Sequence, residues 1–348
     1  MAEILLAFLC HAQEHYRRPD GTATSEVLEF KIISRTVREL FGRTPAAEFG
    51  PKALAAVRHQ MTNIGLCRRV INKRVGRVKL IFRWAAAREL VPVTVYQSLA
   101  TLAGLQKGRT AARDPVPIGP VDDADVEATL PYLRPEVAAM VRVQRLTGMR
   151  PGEVCRLRPA DIDRSGPVWL FTPAEHKMAH RGRPRVIAVG PTAQVILSRD
   201  WPADPHVYCF SPRRAVEAMH AERLAKRKTP RHASCVRRYD AERVQDRRRS
   251  PGSRYTTTGY RHAVARGVRR TNADRARHDV PDGHHGPNLP PIPHWHPNQL
   301  RHAHATEVRR RFGLESAQVV LGHTRADVTQ VYAERDAALA LRVAIEIG

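Results

Sequence analysis

Asn298-Gln299-Leu300-Arg301-His302, Leu321-Gly322-His323 and Val331-Tyr332-Ala333 stand close together near the C-terminus, and far upstream is Thr147-Gly148-Met149-Arg150-Pro151-Gly152-Glu153. Pro297 suits the first turn of a helix carrying Arg301, and Arg150 follows an apolar helical run. Arginines, a histidine and a tyrosine are residue types that a metal-free phosphodiester exchange could use. That reaction takes a nucleophile able to hold the phosphate covalently. It also takes cations that stabilise the added equatorial charge, and an acid for the leaving 5′-oxygen. A guanidinium presents a planar fork to two phosphate oxygens. A tyrosyl phosphodiester keeps the energy of the broken bond, so a later hydroxyl can reverse the step without ATP.

These residues work outward to a larger pattern. Thr147-Gly148-x-Arg150-x-x-Glu153 is followed by Leu157 and Asp161, and Leu321-Gly322-His323 is followed by Thr329 and Tyr332. Together with Asn298-x-x-Arg301-His302, they resemble the active-site boxes of the tyrosine recombinases, the phage-integrase family. The resemblance implies a mainly α fold with a small antiparallel β-sheet, in which a helical core-binding domain precedes a catalytic domain. It implies site-specific recombination: integration or excision of a mobile element by strand cleavage and rejoining. Tyr332 would attack the scissile phosphate, leaving a 3′-phosphotyrosyl link and a free 5′-hydroxyl. Arg150, Arg301, His323 and Asn298 would hold the phosphate, with Glu153 as a structural acid beside Arg150. Lys177, in Glu175-His176-Lys177-Met178-Ala179-His180-Arg181-Gly182-Arg183, would protonate the leaving oxygen from a β-hairpin, with Arg181 and Arg183 on DNA in the same turn. Neither metal nor cofactor is implied. The implied partner is double-stranded DNA with inverted half-sites, bound by a homotetramer, with an accessory directionality factor as a further partner.

One position departs from the family pattern. The box usually reads His-x-x-Arg, and this chain has Asn298 in the histidine position. Asparagine can donate and accept hydrogen bonds but is no proton base. His296, His302 and His304 are alternative sources of an imidazole; His302 and His304 are equally packing or capping residues.

Composition agrees with a polyanionic partner. The 348 residues include 58 Lys and Arg against 34 Asp and Glu, a formal charge of +24. Each phosphate neutralised by such a surface releases condensed counterions. Charge alone would also suit RNA, ribosomes or an acidic membrane surface. The cysteines Cys10, Cys67, Cys155, Cys209 and Cys235 contain no C-x-x-C pair. That argues against a disulfide framework or thiolate zinc site and fits a reducing cytoplasm, with the protein nucleoid-associated. Ile4 to Cys10 is apolar but too short to span a bilayer, and reads as an amphipathic helix rather than a signal peptide. The histidine-rich stretch from His278 to His296 matches no standard zinc spacing.

Residues 1–105 read as a helical DNA-clamping domain, with helices over Ser25 to Phe41, Pro51 to Gly65, Arg69 to Leu90 and Val93 to Leu105. The third carries seven cations between residues 68 and 83 and no acid, including Arg69, Arg74 and Arg77. Either this is an ordinary solvated face or it meets DNA phosphate. Residues 106–119 have linker composition. Residues 120–348 form the catalytic domain, with helices over Asp122 to Leu130 and Pro135 to Thr147. Strands are expected at Val168 to Thr172 and Val186 to Val189, and a third at His206 to Phe210. Basic loop segments fall at about 230–255 and 271–295, and the pattern is helical from Pro297 on. Ala337 to Ile347 is an apolar helix that would pack on its own domain or dock into a neighbouring protomer. Without an additional arm-binding domain, the pattern suggests a simple two-domain integrase. The competing readings are a DNA-binding protein of recombinase descent that does not cleave, a chromosome-dimer resolvase, and a type IB topoisomerase.

Overall fold

The computed structural model describes residues 1–18, 20–174, 185–199, 201–229, 232, 237–238, 250–277 and 290–322. They fall into two compact units, Met1–Pro117 and Ile118–Gly348.

The first unit is helical. Its elements are α1 (Ala2–His15), α2 (Ser25–Phe41), α3 (Pro51–Asn63), α4 (Arg68–Ala86) and α5 (Val93–Ala100). Each buries one apolar stripe at helical spacing: Val27, Phe30, Ile33 and Val37 on α2, and Ile71, Val75, Val78, Ile81 and Phe82 on α4. Aromatic rings fill the centre. Phe49 stacks on Phe82 with centroids 5.2 Å apart, and Phe8 meets Phe30 edge-on at 4.7 Å. Helix α5 stops short of the sequence expectation. The Asn72 side chain takes the backbone of Leu105 instead, accepting from its N–H at 2.8 Å and donating to its carbonyl at 3.0 Å. The following stretch, read from sequence as linker, runs back along this unit. Arg68 N–H donates to the Arg113 carbonyl at 3.0 Å, the Arg68 guanidinium pairs with Asp114 at 3.0 Å, and Ala112 is buried.

The second unit places α6 (Asp123–Thr129), α7 (Pro135–Thr147) and the short α8 (Pro151–Val154) before a sheet of β1 (Ile162–Asp163), β2 (Trp169–Phe171) and β3 (Ile187–Val189). The sheet is antiparallel in the order β1-β2-β3, with Ile162 opposite Phe171 and Phe171 opposite Ile187. Then come α9 (Pro191–Arg199), α10 (Pro212–Ala225), α11 (Thr257–Arg277) and α12 (Pro297–Leu321). Helix α12 is interrupted at Gly313, whose φ of 85° and ψ of 172° are not helical. The core gathers Met140, Val143, Phe171, Phe210, Tyr260, Trp295 and Leu300, all buried.

Two expectations are corrected here. Residues 206–210 are not a strand; β1 supplies the third strand instead. Cys209 and Phe210 are buried, but the segment pairs through isolated bonds such as Cys209 N–H to the Leu157 carbonyl at 2.8 Å. The second loop segment does not begin at Thr271, because α11 continues to Arg277. Thr271 is buried and bonds the Gly267 carbonyl, while Asn272 clasps Ile292 through its N–H at 2.7 Å and its carbonyl at 2.9 Å. Among the described residues no helix is long and apolar enough to cross a membrane.

Candidate active site

The site grows from two helix ends. Helix α7 closes at Gly148, whose φ of 64° is left-handed, and its N–H caps the Gln144 carbonyl at 2.9 Å. Gln144 in turn donates from its side chain to the Met149 carbonyl at 3.1 Å. Pro151 then starts α8, so the chain turns sharply at Arg150. Glu153 locks that turn from below. Its carboxylate accepts from the Arg150 backbone N–H at 2.6 Å and from Arg150 Nη1 at 2.8 Å. Glu153 is 5% exposed and Arg150 29% exposed, so the acid is enclosed while the cation reaches the surface.

Helix α12 supplies the second arginine. Arg301 is 1% exposed. Its Nη1 donates to the Gly148 carbonyl at 2.7 Å and its Nη2 to the Leu321 carbonyl at 2.8 Å. It therefore ties the end of α7 to the end of α12, where Gly322 adopts a left-handed φ of 62°. Asn298, one turn earlier, has its Nδ2 3.3 Å from His302 Nε2, so the imidazole accepts that bond. His302 is buried. His304 faces elsewhere: its Nδ1 donates to the Arg145 carbonyl at 3.0 Å and its ring packs on Gly148, where a Cβ would overlap it. Burial, then the nearby Arg145 cation, lowers the His304 pKa to about 4, so the ring is neutral at pH 7. His296 caps α12, its backbone N–H donating to the Gln299 side chain at 3.1 Å.

Sequence reasoning passed over Arg185, which lies just before β3. Its guanidinium is buried, with Nη1 donating to the Val320 carbonyl at 3.2 Å and Nε 3.7 Å from Glu153. Burial lowers its pKa, and the Glu153 carboxylate opposes that shift. Its only mark in the sequence was one more cation in an arginine-rich turn. Arg150, Asn298 and Arg301 are thus positioned by α7, α8 and α12. Lys177, Arg181, Arg183, His323 and Tyr332 lie outside the described residues.

The cationic helix of the first unit sorts into two faces. Arg69, Lys73 and Arg83 are exposed. Arg77 is not a surface contact, which corrects the sequence expectation. It is 6% exposed, bonds Glu26 at 2.8 Å and Glu29 at 3.4 Å, and its guanidinium lies 5.9 Å from the Phe30 ring. Arg74 turns the same way, 3.7 Å from Glu29 and 14% exposed. The acids come from α2, beyond the window in which the cations looked unopposed. In the second unit Arg261, Arg266 and Arg269 of α11 line an open groove of about 480 Å³ with His262 and His294. Among the described residues no group of histidine, cysteine and acidic side chains is arranged to hold a metal ion.

The phage integrase family model matches residues 128–338. Solved structures share the fold. The Tn1549 transposon integrase in complex with transposon right-end DNA is 15% identical with a TM-score of 0.62, over 99% of this chain and 98% of that one. A lambda integrase dimer bound to a core site is 13% identical with a TM-score of 0.62, over 97% and 96% of the two chains. A lambda integrase tetramer bound to a Holliday junction is 13% identical with a TM-score of 0.55, over 95% and 78%. The search of curated protein sequences found no match.

Proposed function

The chain belongs to the phage integrase family and is a tyrosine-type recombinase acting in site-specific DNA recombination, and on that premise we propose that it cuts and rejoins double-stranded DNA through Tyr332 to move a mobile element. The observation that carries this reading is the enclosed Glu153 carboxylate holding a half-open Arg150 at the turn between α7 and α8. A guanidinium fixed from behind and open in front is preorganised for the charge that builds on a phosphate.

The Tyr332 hydroxyl oxygen attacks the scissile phosphorus, and the bond from phosphorus to the 5′-oxygen breaks. Arg150 and His323 bind the equatorial oxygens, and Arg301, which ties the Gly148 turn to the end of α12, adds its positive charge at the phosphate. Lys177 gives its proton to the leaving 5′-oxygen. The phenolic proton passes to solvent, because Asn298 is no proton base and the acceptor nitrogen of His302 is already engaged by the Asn298 amide. A 5′-hydroxyl from the partner strand then attacks the phosphotyrosine and reverses the sequence. Arg69, Lys73 and Arg83 on α4 and the arginine groove of α11 meet duplex phosphates. A lambda integrase dimer bound to a core site and a lambda integrase tetramer bound to a Holliday junction support a homotetramer on double-stranded DNA here, with inverted half-sites as its target. A directionality factor and nucleoid association complete the proposal.

The polarity of the products tests it. Nicked duplexes from DNA flanking the gene, cleaved in EDTA, should release a 5′-hydroxyl that polynucleotide kinase labels directly. A 5′-phosphate end, or a requirement for metal, would overturn the mechanism. One observation favours a second reading, a DNA-binding protein of recombinase descent that does not cleave. Arg301 is 1% exposed and spends both terminal nitrogens on backbone carbonyls. Tight binding to flanking DNA with no product end of either kind would select it.

A further inference from the structure

Arg185 occupies a position that the chemistry above does not use. Its Nε approaches Glu153 Oε1 at 3.7 Å, and that same oxygen accepts from Arg150 Nη1 at 2.8 Å. Its Nη1 donates to the Val320 carbonyl at 3.2 Å, in the last turn of α12. The guanidinium also lies against Gly322, where a Cβ would overlap Nη1. Arg301 binds the next carbonyl, Leu321, at 2.8 Å and returns to Gly148 at 2.7 Å. Gly148 stands two residues before Arg150. The contacts therefore close a circuit from Arg150 through Glu153, Arg185, the end of α12 and Arg301 back to the Arg150 turn.

A buried cation is a poor way to gain stability, since a well-packed apolar side chain often serves as well or better. What a guanidinium offers is direction: its planar fork addresses a carboxylate on one side and a carbonyl on another. We propose that Arg185 is a positioning residue for strand cleavage, a strut that sets the Leu321-Gly322 end of α12, which His323 follows in sequence, at a fixed distance from the Arg150–Glu153 turn. The proposal rests on the recombination chemistry above, because His323 matters only if the phosphate is there. Arg185 touches neither phosphate nor leaving group, so its loss should slow cleavage without weakening DNA binding.

The test compares wild type, Arg185→Met and Arg185→Lys on a nicked flanking duplex. It measures single-turnover adduct formation, DNA affinity by mobility shift, and thermal unfolding, with all rates taken well below each unfolding temperature. Arg185→Met should form adduct roughly 100-fold more slowly, the scale of an ångström-sized misplacement, at an affinity within about twofold of wild type. Arg185→Lys keeps the charge but spans only one of the two partners, and should recover about tenfold of that loss. A duplex with sulfur replacing the scissile 5′-oxygen removes the need for an acid. It should rescue Lys177→Ala and leave Arg185→Met slow. A folded Arg185→Met that cleaves at the wild-type rate overturns the proposal. If Arg185→Met does not fold, a wild-type rate for Arg185→Lys overturns it equally. A wild type that forms no adduct sinks the recombination reading, and the role of Arg185 with it. A wild type that cleaves beside an equally fast Arg185→Lys sinks the Arg185 proposal alone.

Discussion

Arg301 Nη1 donates to the carbonyl oxygen of Gly148 across 2.7 Å, joining residues that are 153 positions apart in sequence. The bond holds the end of α7 to α12, and with the Leu321 carbonyl it engages both ends of the buried fork. Arg301→Lys retains the charge but reaches one carbonyl. It should destabilise the second unit by about 1–3 kcal/mol, the desolvation cost of one orphaned buried acceptor. Urea denaturation followed at Trp295 would measure this, and an unchanged midpoint would contradict it.

The glycines at the two helix ends admit no side chain. Gly148 and Gly322 have φ of 64° and 62°, and a Cβ would overlap His304 at the first and Arg185 at the second. Gly148→Ala and Gly322→Ala should each cost about 1–3 kcal/mol from backbone strain alone, and cleavage should fall further than that loss predicts. Thermal unfolding and adduct yield on the same samples separate the two effects.

The buried His304 should make the fold sensitive to acid. Its folded pKa is about 4, against 6.5 for the ordinary imidazole. Between those values the unfolded chain takes up a proton that the folded chain refuses. The contribution is therefore complete above pH 6.5 and is lost progressively as pH falls towards 4, reaching about 3 kcal/mol. His304→Gln removes the titration. The stability difference between pH 7 and pH 4.5 should be smaller in the variant than in wild type, and equal differences would refute the account.

On α4, neighbouring cations should behave differently. Arg77→Ala removes a buried guanidinium and its packing on Phe30, but Glu26 and Glu29 are more than a third exposed and keep Lys73 and Arg74 at 3.7 Å, so stability should fall by about 1–2 kcal/mol. Arg69→Ala with Lys73→Ala should leave stability nearly intact and reduce the salt dependence of DNA binding by about two units of slope. Affinity titrations over a range of salt concentrations would distinguish them.

Helix positions in the first unit were legible because each buries a stripe at a fixed period, as Phe30, Ile33 and Val37 do on α2. The turn at Arg150 was legible from Gly148, Pro151 and Glu153, whose conformational roles are local. Interactions that depend on distant chain were not. The pairing of Arg77 with Glu26 crosses two helices, so a count of charges along α4 alone saw an unopposed face. The contact of Arg185 with Val320 spans 135 positions, and nothing in its neighbours distinguishes it from Arg181 or Arg183. The short β1 escaped notice because two residues carry no alternation to read.

The central claim is that Tyr332 is the nucleophile. The direct test incubates nicked flanking duplexes with wild type and with Tyr332→Phe in EDTA, then denatures the protein and looks for protein joined to DNA. An adduct with wild type alone, from a Tyr332→Phe that binds the duplex equally well, is the expected result. An adduct of equal yield from Tyr332→Phe would place the covalent bond on another residue and contradict the account.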